Sequence, residues 1–153
     1  MTRVSKKQFA AMVRANPDLV QPDLAELEET QVQRWTVPIH AKGKERPRVT
    51  RNGTYMPAEY ERWRDQFAAG SPPLRAKPPY GLEITIVRKI PAGGKNRTKK
   101  PGDWCDVAPD GDNVQGAVMD TLMKESDAAV VIGTWRKVWG EEDEIIVEVW
   151  HQD

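Results

Sequence analysis

The sequence has one thiol and two imidazoles: Cys105 is its only cysteine, and His40 and His151 are its only histidines. A disulfide framework and a thiolate zinc cluster are therefore excluded, and a histidine-built zinc site has too few ligands. Long apolar stretches are missing too. No run approaches the roughly 18–20 residues of a membrane span, and the polar N-terminus lacks the apolar core of a signal peptide. The expectation is a cytoplasmic protein with no membrane partner. Net charge is also absent, with 23 Lys and Arg against 23 Asp and Glu. Taken whole, that balance argues against a nucleic-acid binder. What remains is 153 residues of ordinary composition, 39% hydrophobic and 30% charged. That suffices for one domain with a short appended segment.

The zero conceals a separation of charge along the chain. Residues 1–33 carry 4 basic and 5 acidic side chains, residues 34–100 carry 16 and 5, and residues 101–153 carry 3 and 13. A polyanion meets the local field of the face it docks on, so a middle segment of +11 remains compatible with DNA or RNA. The acidic third then needs its own explanation. Beside a nucleic acid its carboxylates are repulsive unless metal ions lie between them and the phosphates.

Residues 1–33 read as two short helical stretches, Phe9, Met12 and Val13 facing one way in the first and Leu24 and Leu27 in the second, with Pro17 and Pro22 between them. From Arg34 the period becomes two. Trp35, Val37 and Ile39 alternate with polar or small residues in a strand that Pro38 places near a sheet edge. A basic loop follows, with Lys42, Lys44, Arg46, Arg48 and Arg51 before an Asn52-Gly53 turn signal. Met56, Tyr60, Trp63 and Phe67 recur at helical spacing through residues 57–68. After a proline-rich connector, Leu82, Ile84 and Ile86 mark a strong strand. Residues 91–104, with Lys95, Arg97, Lys99 and Lys100, read as a mobile loop. Val114, Ala117, Val118 and Leu122 mark a further amphipathic helix. Strands over roughly 129–138 and 144–150 close the chain, with Gly140-Glu141-Glu142 between them as a hairpin. Helices and strands mix without regular alternation, so the expected class is α+β: a small mixed sheet with two packed helices, preceded by a helical N-terminal extension.

The most informative segment is Ala108-Pro109-Asp110-Gly111-Asp112-Asn113, followed by Asp120 and Asp127. If residues 110–112 are extended, the carboxylates of Asp110 and Asp112 point to the same side. Asp112 also suits the N-cap of the helix, with Gln115 at the capping-box position. Asp127 follows the helix and joins the pair if the connection folds back. Hard oxygen ligands without nearby nitrogen or sulfur suit Mg²⁺ or Mn²⁺. The same residues are also ordinary turn and cap chemistry. A calcium loop fails, because aligning Asp106, Ala108 and Asp110 before Gly111 puts Ala117 where a bidentate Glu belongs. Metal-bridged phosphodiester chemistry accounts for the acidic end and the basic middle together.

The order of a basic loop with Arg46-Pro47-Arg48, a helix, a strand, Pro109-Asp110-Gly111-Asp112-Asn113, a helix with Asp120, and Asp127 before Val130-Val131 resembles the RusA family of Holliday junction resolvases. The likeness runs from about Arg34 to Trp150, which divides the chain into an extension, 1–33, and a RusA-like endonuclease domain, 34–153. It implies a homodimeric, Mg²⁺-dependent endodeoxyribonuclease that nicks four-way DNA junctions symmetrically in recombination and repair, in a bacterial or phage-infected cell. Carried over by position, Asp110, Asp112 and Asp127 are the catalytic, metal-binding aspartates, and Asp120 is a supporting helix aspartate. The family's lysine four residues after the second aspartate is replaced here by Gly116, and its Asp-Asp-x-Gln run reads Ser126-Asp127-Ala128-Ala129 after a shorter connection.

At about 100° per residue, Asn113, Gly116, Asp120 and Lys124 share one helix face. Lys124 is a candidate for the missing charge but lies roughly 12 Å from Gly116 along the axis. Lys99 or Lys100 are the other candidates, and the plain reading of Lys124 is an i,i+4 pair with Asp120. DNA binding falls to Lys42, Lys44, Arg46, Arg48 and Arg51, with Lys95, Arg97, Lys99 and Lys100. Trp35, Trp63, Trp135 and Trp150 are expected as core or dimer contacts, while Trp104 is the tryptophan to consider for base stacking. The rival readings are a catalytically weak or inactive branched-DNA-binding protein of the same fold and a cation-binding structural module.

Overall fold

A computed structural model describes residues 32–124 and 127–153. The expected helical stretches within 1–33 lie outside the described residues, apart from the first residues of the opening strand. The alternating segments form one mixed sheet from β1 (Val32–Val37), β4 (Tyr80–Lys89), β5 (Val130–Gly140) and β6 (Glu144–His151), in the order β1-β6-β4-β5. β2 (Arg48–Thr50) and β3 (Gly53–Tyr55) pair separately as an antiparallel ribbon. β1 is an edge strand that stops just before Pro38, as the missing proline N–H requires.

The residue pattern of β4 explains its central place. Leu82, Ile84 and Ile86 are fully buried on one face, while Gly81 and Val87 are covered on the other. An ideal Cβ on Gly81 would stand 2.0 Å from the Trp150 indole, so glycine admits that ring across the strand. β4 pairs in parallel with β5 and antiparallel with β6. The expected hairpin between the last two strands is therefore not formed, because β4 lies between them. The connection passes over the end of β4, where the Lys89 N–H donates to Asp143 Oδ1 (2.8 Å) and the Ile90 N–H to the Gly140 carbonyl (2.9 Å).

Both helices cover one face of the sheet. α1 (Ala58–Ala69) buries Tyr60, Trp63 and Phe67, and the last two rings stack 5.2 Å apart. The Trp63 indole N–H donates to the His40 carbonyl at 2.8 Å, which satisfies the one polar atom of a buried ring. α2 (Gly111–Leu122) turns Val114, Ala117, Val118 and Thr121 inward. Val114, Ala117 and Val118 meet Leu82, Ile84, Ile86, Ile145, Val147 and Val149 in a single core. Each fully buried aliphatic side chain contributes about 1.5–3 kcal/mol of transfer free energy.

The connection from β4 to α2 differs from the mobile loop expected. Residues 95–98 form a 3₁₀ turn, and Gly102 to Cys105 run along the outer edge of β5. There the Gly102, Trp139 and Cys105 N–H groups donate to the Trp139, Asp103 and Lys137 carbonyls, at 2.9, 2.8 and 3.1 Å. An exposed edge recruits whatever backbone lies nearby, so the C-terminal half of β5 is covered and Trp104 is held opposite Val138.

Candidate active site

α2 begins on top of an aromatic ring. A Cβ at Gly111 would fall 2.1 Å from the Trp135 ring, so only glycine lets the helix start this close to β5. Gln115 fixes the same contact one turn on, its Nε2 donating to the Thr134 carbonyl at 2.9 Å. Asp110, not Asp112, occupies the N-cap position, with φ −64° and ψ 135°, and its side chain makes no capping bond. Asp112 stands inside the first turn. Residues 110–112 are thus not extended as a unit, and Gln115 is spent on β5 instead of a capping box. The two carboxylates nevertheless leave the same end of one helix, both exposed, where the positive end of the helix dipole favours them.

They border a notch of about 580 Å³ that Trp104, Asp106, Trp135 and Lys137 also line. Asp106 is a further carboxylate here, one that the sequence pointed to only as the first position of the failed calcium loop. The Lys137 ammonium donates to the Val107 carbonyl and Arg88 to the Ala108 carbonyl, so two cations brace the segment that delivers the aspartates.

Asp120, two turns further along α2, is engaged differently. The Tyr60 hydroxyl donates to Asp120 Oδ2 at 3.0 Å, with Arg64 at 3.6 Å and Lys44 at 3.8 Å. Burial, and then the bond to Asp120, push the Tyr60 phenol well above its usual range, so it stays a donor. Lys124 is not the partner of Asp120; it lies exposed beyond the helix end. Lys44 holds the face where Gly116 leaves room. Its backbone N–H donates to the Asn113 carbonyl at 2.9 Å, and its Cβ and Cδ would lie 3.6 and 3.5 Å from a Cβ at Gly116.

Asp127 sits in a 3₁₀ turn just before β5. Trp135 and Thr134 of β5 lie under the start of α2, whereas Tyr80, the partner of Val130, shares a groove with Thr121 to Lys124. α2 and β5 therefore run in opposite directions, and Asp127, just before β5, lies toward the far end of the helix from Asp112. Among the described residues no three His, Cys, Asp or Glu side chains converge as a metal site.

The first basic stretch flanks this helix face. Lys42 pairs with Glu45 (3.9 Å) and Glu59 (3.8 Å), and Lys44 with Asp120, whereas Arg46, Arg48 and Arg51 are exposed with no carboxylate partner among the described residues. In the second stretch Lys95, Arg97 and Lys100 are exposed and Lys99 is half-buried. Among the described residues no helix is long and apolar enough to cross a membrane.

A family model described as endodeoxyribonuclease RusA matches residues 38–150. The chain belongs to the RusA family. Membership implies an endonuclease of the Holliday junction resolvase kind, and RusA-family resolvases are in general dependent on a divalent metal. The matched span holds both helices, β2 to β5, β6 up to Trp150, and every candidate residue from Lys42 to Asp127. No relative among curated proteins matches the chain.

Proposed function

We propose that the protein resolves four-way DNA junctions by metal-dependent hydrolysis of a phosphodiester at the N-terminus of α2. The observation that carries this reading is the pairing of Asp110 and Asp112 at one exposed helix end, delivered by a glycine seated on Trp135. Two hard carboxylates with no sulfur or imidazole beside them fit Mg²⁺ or Mn²⁺, which keep waters and take their remaining ligands from substrate phosphate. A bound ion of this kind lowers the pKa of a water and screens charge on the phosphate.

Asp110 and Asp112 would hold the ion, with Asp127 as the third carboxylate of the site. From its place before β5 it would complete the pair on a second copy of the chain. Lys44, laid over Gly116, is a cation on this helix face and orients the phosphate where α2 itself carries no lysine. Asp120 fixes Lys44 and ties α2 to α1. Arg46, Arg48 and Arg51, with Lys95, Arg97, Lys99 and Lys100, bind the backbone of the branched DNA. Two symmetric cuts call for two sites related by a two-fold axis, hence a homodimer.

The test is cleavage of a labelled four-way junction with Mg²⁺ or EDTA. Paired nicks are expected with the metal, none with EDTA, and none in Asp110→Asn, Asp112→Asn or Asp127→Asn, each of which still binds the junction. Full activity in Asp127→Asn would reduce the ion's protein ligands to the helix pair. Lys44→Ala is expected to slow cutting while leaving binding near wild type, and Lys44→Ala with Gly116→Lys to recover part of the rate. Junction binding without cleavage under any metal would favour the non-catalytic reading.

A further inference from the structure

The β2–β3 ribbon buries none of its side chains in the fold. All six of its residues are exposed, Val49 at 81% and Tyr55 at 50%. A lone two-stranded ribbon is marginal in water, yet this one is built with care. Arg51-Asn52 forms its two-residue turn, Gly53 takes φ +119°, the Asn52 N–H donates to Thr50 Oγ1 at 3.3 Å, and the Thr50 hydroxyl donates to the Gly53 carbonyl at 3.1 Å. The register puts Arg48 opposite Tyr55 and Thr50 opposite Gly53 on one face, with Val49 and Thr54 on the other. From Arg46 to Ala58 there are three arginines and no acid. Such a surface is stable when apolar and cationic groups are covered together, and a DNA duplex does both.

We propose that the ribbon enters the major groove of one duplex arm, with its Arg48 face toward the bases. A two-stranded ribbon fits that groove, and an arginine fork pairs with guanine O6 and N7. The inference rests on the DNA reading above and adds to it a source of sequence preference. Position follows from the chain: Lys44 is fastened to Asn113 at the start of α2, and Arg48 is four residues on. At most about 14 Å separates them, about four base pairs at 3.4 Å each. With the reach of the arginine side chain and the width of the site added, the preferred base pair lies within about one duplex turn of the cut.

The test is equilibrium binding in EDTA, where no cleavage occurs, to four-way junctions that differ at single base pairs near the branch point, over a range of salt. The wild type is expected to discriminate at one of these pairs by about 5- to 140-fold, the range for a bidentate base contact. Arg48→Ala and Arg48→Lys are both expected to lose that discrimination. If Arg48→Ala weakens all sequences equally and lowers the log–log salt slope by about one, Arg48 contacts phosphate only and the proposal is overturned. Wild-type protein that binds every junction equally also overturns it, while leaving the nuclease reading intact. Protein that binds no junction at low salt overturns both. Circular dichroism on each variant confirms folding.

Discussion

Gly111 shows how a single residue type is dictated by a neighbour distant in sequence. Its missing side chain is the space occupied by the Trp135 ring, so Asp-Gly-Asp is here a packing requirement as much as a turn signal. Gly111→Ala is expected to destabilise the fold by about 1–3 kcal/mol, the range for overpacking a close contact, and to displace both aspartates. Chemical denaturation with Trp135→Leu as partner mutation checks the cause. If the ring is responsible, the double variant recovers part of the loss, since residues in contact couple. Additive losses would place the fault elsewhere. Gly116 presents the opposite case, open toward Lys44 at ordinary contact distance. No steric reason for glycine exists there, since a Cβ would rest against the loop lysine without displacing it.

At the scale of elements, α1 and α2 are joined on their polar sides by Asp120, which gathers the Tyr60 hydroxyl, Arg64 and Lys44. The raised Tyr60 pKa means that the folded state holds the phenolic proton more tightly than the unfolded chain. Its contribution is full below the ordinary tyrosine value of 10.0 and is lost as pH rises above it toward the folded-state value. Urea titrations from pH 8 to 11 are expected to show stability falling in the alkaline half, and Tyr60→Phe to flatten that fall. An unchanged slope in the variant would assign the alkaline loss to other groups. The Tyr60, Trp63 and Phe67 stripe was legible because helical spacing alone selects one face. The partners of Asp120 were not, since Lys44 and Tyr60 reach it from segments 76 and 60 residues away in sequence.

For the whole molecule, a net charge of zero is the sum of a cationic middle and an acidic end, and the fold sets the two against each other: the Lys44 loop lies on the helix that carries Asp110, Asp112 and Asp120. Docked DNA would be held by the first and cut beside the second. Sedimentation of the full chain is expected to give a dimer, and its affinity for a junction to fall steeply with salt through counterion release. A monomer that still makes paired, simultaneous nicks would remove the need for a two-fold partner.

The sequence by itself determined the α+β class, the two amphipathic helices, the central apolar strand and the acidic and basic segments. Each of these depends on local period or composition, which a linear reading captures. Only the tertiary structure decided that β4 separates β5 from β6, that residues 102–105 close the β5 edge, that Asp110 rather than Asp112 precedes α2, and that Lys44 covers Gly116. Strand partners, edge contacts and side-chain neighbours are chosen by competition among segments for the same hydrogen bonds and the same space. That competition takes place only once the core has brought them together.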